Sequence, residues 1–369
     1  MSTATDRKHS LTPAQKQQLR RRLLAWYSKH ARDLPWRRSS DPYQVWISEI
    51  MLQQTQVATV RGYFERFIYE LPTVERLATA DEQQVLRLWE GLGYYRRARQ
   101  LHAAARQIAA NLGGRLPDDV EGLMRLPGIG RYTAGAIASI AFGRRAPILE
   151  ANTIRLLSRL IGYRGDPTKT AGQRVLWQLA EEILPRENVP QFNQALMELG
   201  ALVCTPTEPH CKECPLGQIC AARAKGLHDV IPLAKPRQTY TQLHEAAVVV
   251  RKNGSVLLRQ CGEGERWAGL WDFPRFAVEA EGPLYADDEI VMKVREQTGV
   301  ICKLPMHFKT IKHGITRYRI SLACFRAEYR SGSVKGTKGS PIRWVALSHL
   351  IDYPLSTTGR VMAEIFATI

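Results

Sequence analysis

Two carboxyl groups and four thiols stand where chemistry could use them. Glu49 lies in the run PYQVWISEIMLQQTQV, residues 42–57. Wound as a helix, that run gives Glu49 the neighbours Val45, Trp46, Leu52 and Gln53, which are mostly apolar. Desolvation disfavours a carboxylate, so the Glu49 pKa is expected to rise until the group stays protonated near neutral pH and serves as a general acid. The plainer alternative is a helix-forming Glu that reaches solvent. Glu150 opens PILEANTIRLLSRL, residues 147–160, at the threshold of a helix. Unpaired N–H groups and the macrodipole stabilise a negative charge there, so Glu150 is expected to remain ionised, with Asn152 capping the helix beside it. A merely structural acid at that position would be worth a few tenths to about 1 kcal/mol. Cys204, Cys211, Cys214 and Cys220 fall within seventeen residues. In a reducing compartment four thiols so close are metal ligands rather than disulfides, and their spacing alone suits zinc or iron–sulfur equally.

These groups need a scaffold. Leu19, Leu23, Trp26 and Tyr27, and again Leu101, Ala104, Ala105, Ile108 and Leu112, repeat at the helical period, and Leu-Pro breakers separate such runs. At 369 residues and 44% apolar composition the chain predicts two cores. The basic, proline-containing segment 225–239 reads as the linker between a helical domain, 1–224, and an α+β domain, 240–369. In the latter, AAVVVRK and SVLLRQ flank the hairpin signal Asn253-Gly254. No run is long and apolar enough for a membrane span and the first ten residues are too polar for a secretory signal, so a cytoplasmic protein is expected.

Fifty-two Lys and Arg against thirty-five Asp and Glu give +17, which favours a polyanionic partner, nucleic acid foremost. The segment LPGIGRYTAG, residues 126–135, sharpens this. Gly128 and Gly130 permit a tight turn into a helix whose first N–H groups can face a phosphate; an ordinary Pro-Gly turn is the alternative.

Taken with LPWR (34–37), GLGYYRRAR (91–99), the run around Glu49, LPGIGRYTAG and the Cys-x6-Cys-x2-Cys-x5-Cys spacing, the chain resembles the helix-hairpin-helix superfamily of DNA glycosylases, and within it the MutY branch, the adenine DNA glycosylases. The resemblance implies a mainly α catalytic region followed by a Nudix-like recognition domain. It implies excision of adenine mispaired with 8-oxoguanine or guanine in double-stranded DNA, by a monomer carrying a 4Fe-4S cluster on the four cysteines. Glu49 matches the family's catalytic acid. Glu150-Ala151 stands where the family has Asp-Gly, and a neutral Glu49 beside an ionised Glu150 resembles the division of labour in retaining glycoside hydrolysis. Gln54 and Tyr94 match residues that enter the duplex around the lesion, and Arg32 and Trp36 match positions near the adenine pocket, although Arg32 could equally pair with phosphate. Tyr132 stands where bifunctional relatives have the lysine that forms a Schiff base, which implies an abasic product with an intact strand. The segment VREQTGV, residues 294–300, retains little of the Nudix signature, so pyrophosphatase activity is not expected. Ile315, Thr316 and Arg317 align with the family's Phe-Ser-His reading loop, leaving Thr316 as the available hydroxyl. Two other readings accompany this one: a glycosylase of altered mismatch or damaged-purine specificity, and a non-catalytic iron–sulfur DNA-binding protein.

Overall fold

A computed structural model of the protein describes residues 10–233, 239–278, 287–336 and 339–368. The first nine residues, and 234–238 of the expected linker, lie outside the described set. Among the described residues no helix is long and apolar enough to cross a membrane.

The helices, in chain order, are α1 (Pro13–His30), α2 (Pro42–Leu52), α3 (Val57–Glu70), α4 (Val74–Thr79), α5 (Glu82–Trp89), α6 (Arg96–Asn111), α7 (Val120–Met124), α8 (Arg131–Ile140), α9 (Ala151–Ile161), α10 (Thr170–Ile183), α11 (Val189–Leu202) and α12 (Ala221–Ala224). After them come β1 (Thr241–Lys252), β2 (Ser255–Gln260), β3 (Trp271–Asp272), β4 (Arg275–Ala277), α13 (Asp287–Thr298), β5 (Val300–Cys302), β6 (Met306–Ile315), β7 (Tyr318–Gly332), β8 (Ile342–Ala346) and α14 (Thr357–Thr368). A helical region is thus followed by an α+β region. The chain forms two compact units, 1–79 with 100–236, and 80–99 with 237–369. This division differs from the sequence expectation in placing 80–99 in the second unit and in carrying the first unit to 236.

In the first unit, α1 starts on Pro13 under a capping box in which Thr12 and Gln15 exchange hydrogen bonds. Its Leu19 and Leu23 enter a core with Leu157 of α9, Leu176 of α10, and Phe192 and Leu196 of α11. Leu101, Ala104, Ala105 and Ile108 bury one face of α6, whereas Leu112 is 41% exposed because the helix stops at Asn111. Much of the expected linker is part of this unit. Ile231 is buried, and its carbonyl accepts from Arg159 Nε at 2.7 Å.

In the second unit β1 pairs in parallel with β7, antiparallel with β2 and β4, and β6 runs antiparallel to β7. Asn253 and Gly254, with φ of 48° and 76°, make the β1–β2 turn their sequence announces. Period-2 alternation sends Ala247 and Val249 to one face, under Met362 of α14, and Ala246, Val248 and Val250 to the other, under Ile290 and Val294 of α13. The sheet is therefore covered on both sides, which explains why AAVVV is a continuous apolar run. Segment 80–99 belongs to this unit. Trp271 Nε1 donates to Gln83 Oε1 at 2.9 Å, and Arg87 Nε donates to Ile351 O at 2.6 Å.

Candidate active site

α2 begins on Pro42 under an Asp41 cap and is buried on all sides, from Tyr43 through Met51 apart from Gln44. Glu49, only 5% exposed, cannot reach bulk solvent as the plainer reading of the sequence supposed. It lines a cleft of about 170 Å³ together with Arg32, Trp36, Tyr132, Glu150 and Asn152. Tyr132, in the first turn of α8, donates its hydroxyl to Glu49 Oε2 at 2.7 Å. Burial pushes the Glu49 pKa up, the Tyr132 hydroxyl pulls it down and the nearby Glu150 charge pushes it up again, for a value of about 7. The phenol stays protonated, since burial and both carboxyls raise its pKa further.

Glu150 is the N-cap of α9. Its Oε2 accepts from Asn152 N at 2.8 Å and its Oε1 from Thr153 N at 2.9 Å, while Glu150 N donates to Thr153 Oγ1 at 2.7 Å. The cap assigned to Asn152 from sequence thus belongs to Glu150. Asn152 sits in the first turn and accepts on Oδ1 from Arg155 Nη2 at 2.9 Å. Burial raises the Glu150 pKa, and the two N–H donors and the Arg155 guanidinium offset this only in part. Both carboxyls are raised; only Glu150 has backbone N–H bonds to favour its charged form. The approach of the chain to Glu150 depends on Gly135 in α8. A Cβ there would lie 2.4 Å from the Pro147 carbonyl, so the segment leading to Glu150 lies directly on the helix that carries Tyr132.

A third carboxyl escaped sequence reasoning. Glu198 of α11 accepts from Arg32 Nε and Nη2, each at 2.8 Å, and from Arg37 Nη2 at 2.8 Å. Burial would raise its pKa, but these bonds and the Arg37 charge outweigh it and hold Glu198 at about 2. Arg32 is thus held against Glu198 through two of its nitrogens. The signal available was an acid within QALMELG, apolar on both sides, the same kind of clue that singled out Glu49. Gln194 and Met197 of the same helix also line the cleft.

The remaining candidates lie outside that cleft. Gln54 follows α2 with φ +57° and is exposed. Gly128 has φ +78°, and a Cβ there would meet the Gln100 side chain at 2.9 Å. Gly130 is exposed and caps α8 without a side-chain bond, leaving its first N–H groups open to a ligand. In the second unit, Tyr94 is 51% exposed with φ +47°, and Thr316 is exposed with φ +48° in the turn between β6 and β7.

All four cysteines of the first unit line one small cavity, about 30 Å³, otherwise walled by side chains such as Leu156, Leu160, Val203 and Leu216. Arg159 Nη1 lies 3.4 Å from Cys204 Sγ. Burial pushes the Cys214 thiol up to about 12 and raises Cys220 as well, so thiolates there require a compensating cation. Among the described residues no three His, Cys, Asp or Glu side chains are arranged to share a single metal ion. Four sulfurs around one space are a donor set that an iron–sulfur group or a zinc ion uses.

Residues 47–182 match the family model for HhH-GPD superfamily base excision DNA repair proteins, and residues 245–364 match that for the NUDIX domain. The sequence is 32% identical to the adenine DNA glycosylase of Rattus norvegicus over 400 aligned residues, covering 94% of this chain and 77% of that protein. It is 37% identical to the adenine DNA glycosylase of Buchnera aphidicola from Acyrthosiphon pisum over 268 residues, 72% of this chain and 77% of the relative. Among solved structures, a thermostable thymine-DNA glycosylase superposes with a TM-score of 0.54 at 29% identity, covering 57% of this chain and 98% of that one.

Proposed function

The chain belongs to the adenine DNA glycosylases of base excision repair, and from that premise we propose that it removes adenine mispaired with 8-oxoguanine or guanine, with Glu49 as the acid and Glu150 as the stabilising anion. The observation that carries this reading is the Tyr132–Glu49 hydrogen bond in a cleft that also holds Glu150. Glu49, with a pKa of about 7, carries a proton it can give to the departing base, and afterwards can accept one from water. Glu150, fixed by two backbone N–H groups, presents negative charge to the sugar as positive charge develops on it. Asn152 and Arg155 brace that end of α9. With Tyr132 in place of an amine, no Schiff base forms there, and the product is an abasic site in an unbroken strand.

Recognition is divided among the other candidates. Trp36 and the Arg32–Glu198 pair shape the base pocket, Gln54 and Tyr94 enter the opened duplex, Gly128 and Gly130 present backbone N–H groups to a phosphate, and the Thr316 hydroxyl reads the opposite base. Cys204, Cys211, Cys214 and Cys220 would hold a 4Fe-4S cluster, which supplies a rigid cross-link for the loop between α11 and α12. The enzyme acts as a monomer in the reducing cytoplasm, where these thiols stay available.

Single-turnover assays on duplexes with adenine opposite 8-oxoguanine, guanine and each normal base test this directly. Fastest release opposite 8-oxoguanine supports it. Equal rates across the panel favour the second reading, a changed mismatch range, which the Glu150-Ala151 and Ile315-Thr316-Arg317 departures motivate.

A further inference from the structure

The loop 90–95 contains three positive-φ positions, Gly91 at 96°, Gly93 at 69° and Tyr94 at 47°. For a tyrosine this conformation is strained and persists only where its surroundings over-determine it. Here they do so from two directions. Arg97 Nη2 donates to Leu92 O at 3.1 Å and to Gly93 O at 3.2 Å, and its guanidinium lies 5.3 Å from the Trp89 ring and 5.8 Å from the Tyr94 ring. From the other side the loop is held by its first residue. Glu90 Oε1 accepts from Arg360 Nε at 2.6 Å, and Oε2 accepts from Arg360 Nη2 at 3.1 Å and from Leu355 N at 3.2 Å. Arg360, on α14, completes its donor set on Leu350 O at 3.0 Å and Tyr353 O at 2.7 Å. Glu90 is buried, Arg360 half-buried, and the pair is bidentate, the geometry in which an Arg–carboxylate contact is both strong and directional.

We propose that the Glu90–Arg360 pair is a positioning device for Tyr94, through which the C-terminal helix α14 sets the readiness of the ring to enter the duplex. The proposal rests on the reading of Tyr94 as the residue that enters at the lesion. A half-exposed ring on a pinned loop needs no ordering when DNA arrives, so its contact energy is available for unstacking a base step. Loss of the pair frees the loop to relax Tyr94 out of its strained conformation. Neither Glu90 nor Arg360 touches the reacting atoms; both act through Tyr94.

The test uses the full-length protein and a duplex with adenine opposite 8-oxoguanine and 2-aminopurine beside the adenine, whose fluorescence rises on unstacking. Tyr94→Ala should suppress the rise and slow single-turnover base release by about tenfold or more. Glu90→Gln, which keeps an acceptor for Leu355 N but loses the charge, should give a smaller loss of both. Arg360→Lys, which keeps the charge but not the fork, should behave likewise and serves if Glu90→Gln does not fold. The deciding measurement is the double variant. If Glu90 acts through Tyr94, Glu90→Gln adds no further loss in the Tyr94→Ala background; a merely structural role predicts the same proportional loss in both backgrounds, and that result overturns the proposal. If Tyr94→Ala itself changes neither fluorescence nor rate, the entry role of Tyr94 is wrong and the positioning device falls with it. An effect of Tyr94→Ala with none from Glu90→Gln or Arg360→Lys leaves the entry role standing and removes this inference alone.

Discussion

At Glu49, burial and a phenol act in opposite directions on one proton. Burial raises the carboxyl pKa and the Tyr132 hydroxyl, which stabilises the ionised form, lowers it to about 7. In the proposed mechanism the acid form is the active one, so single-turnover base release should fall as pH rises through about 7. Tyr132→Phe removes the donor to the carboxylate, so the Glu49 pKa should rise and the alkaline limb should move up by roughly half to one pH unit, the scale of a hydrogen bond near 1 kcal/mol. A limb unmoved in that variant would show that the two groups are not coupled. Glu150 caps the start of α9 and is the anion of the proposed mechanism. Glu150→Gln keeps one acceptor oxygen but loses one cap bond, so the protein should lose about 0.5–2 kcal/mol of stability, offset in part because a buried charge is no longer desolvated. Base release should fall by roughly 10²–10³ while DNA affinity is retained. Release at the wild-type rate would reduce Glu150 to a helix cap. The Glu49 environment was legible because its neighbours are set by the helical period. Glu198 was not, since its meaning comes from Arg32 and Arg37, more than 160 residues earlier.

The hairpin between α7 and α8 is an element whose function can be separated from its stability. Gly130 adopts an ordinary extended conformation, and a Cβ there would meet nothing within 4 Å. Aspartate is also a better N-cap than glycine by a few tenths of a kcal/mol. Gly130→Asp should therefore leave the melting temperature unchanged or slightly higher, yet weaken binding across DNA sequences by placing a like charge beside a phosphate. Unchanged affinity would move the phosphate site elsewhere. In the loop from Cys204 to Cys220, purified protein should contain about four irons with matching acid-labile sulfide, and Cys214→Ser should lower both together with thermal stability. Stoichiometric zinc without iron, in protein prepared anaerobically from iron-replete cells, would overturn the assignment. These elements were readable from glycine and cysteine spacing. The expected linker, 225–239, was drawn from two prolines and several basic residues; that its first part packs on the helical unit could not be seen there, because the docking of Ile231 depends on Arg159 in a different element.

For the whole molecule, the sequence order of the domains and the grouping in space differ. Segment 80–99 reads as part of the helical region by period, and nothing local reveals that Gln83, Arg87 and Glu90 find partners near the other end of the chain. A chain ending at Gln238 would lack those partners. It should melt at a lower temperature than the intact protein, and its loss of preference for 8-oxoguanine would mix recognition with damage to the Tyr94 loop. Thr316→Val leaves segment 80–99 untouched and isolates the reader. The ratio of adenine release opposite 8-oxoguanine to that opposite guanine should fall, with basal release kept; an unchanged ratio would remove Thr316 from recognition. The same separation along the chain has a consequence during synthesis. Glu90 emerges 270 residues before Arg360. At roughly 5–20 residues per second it waits on the order of 15–50 seconds for its partner. Through that interval, helix α5 and the tyrosine loop have no finished surface to settle on, so nascent chains should recruit holding chaperones through this segment, and ribosomes stalled before the last helix should release products that proteases cut first between residues 80 and 99.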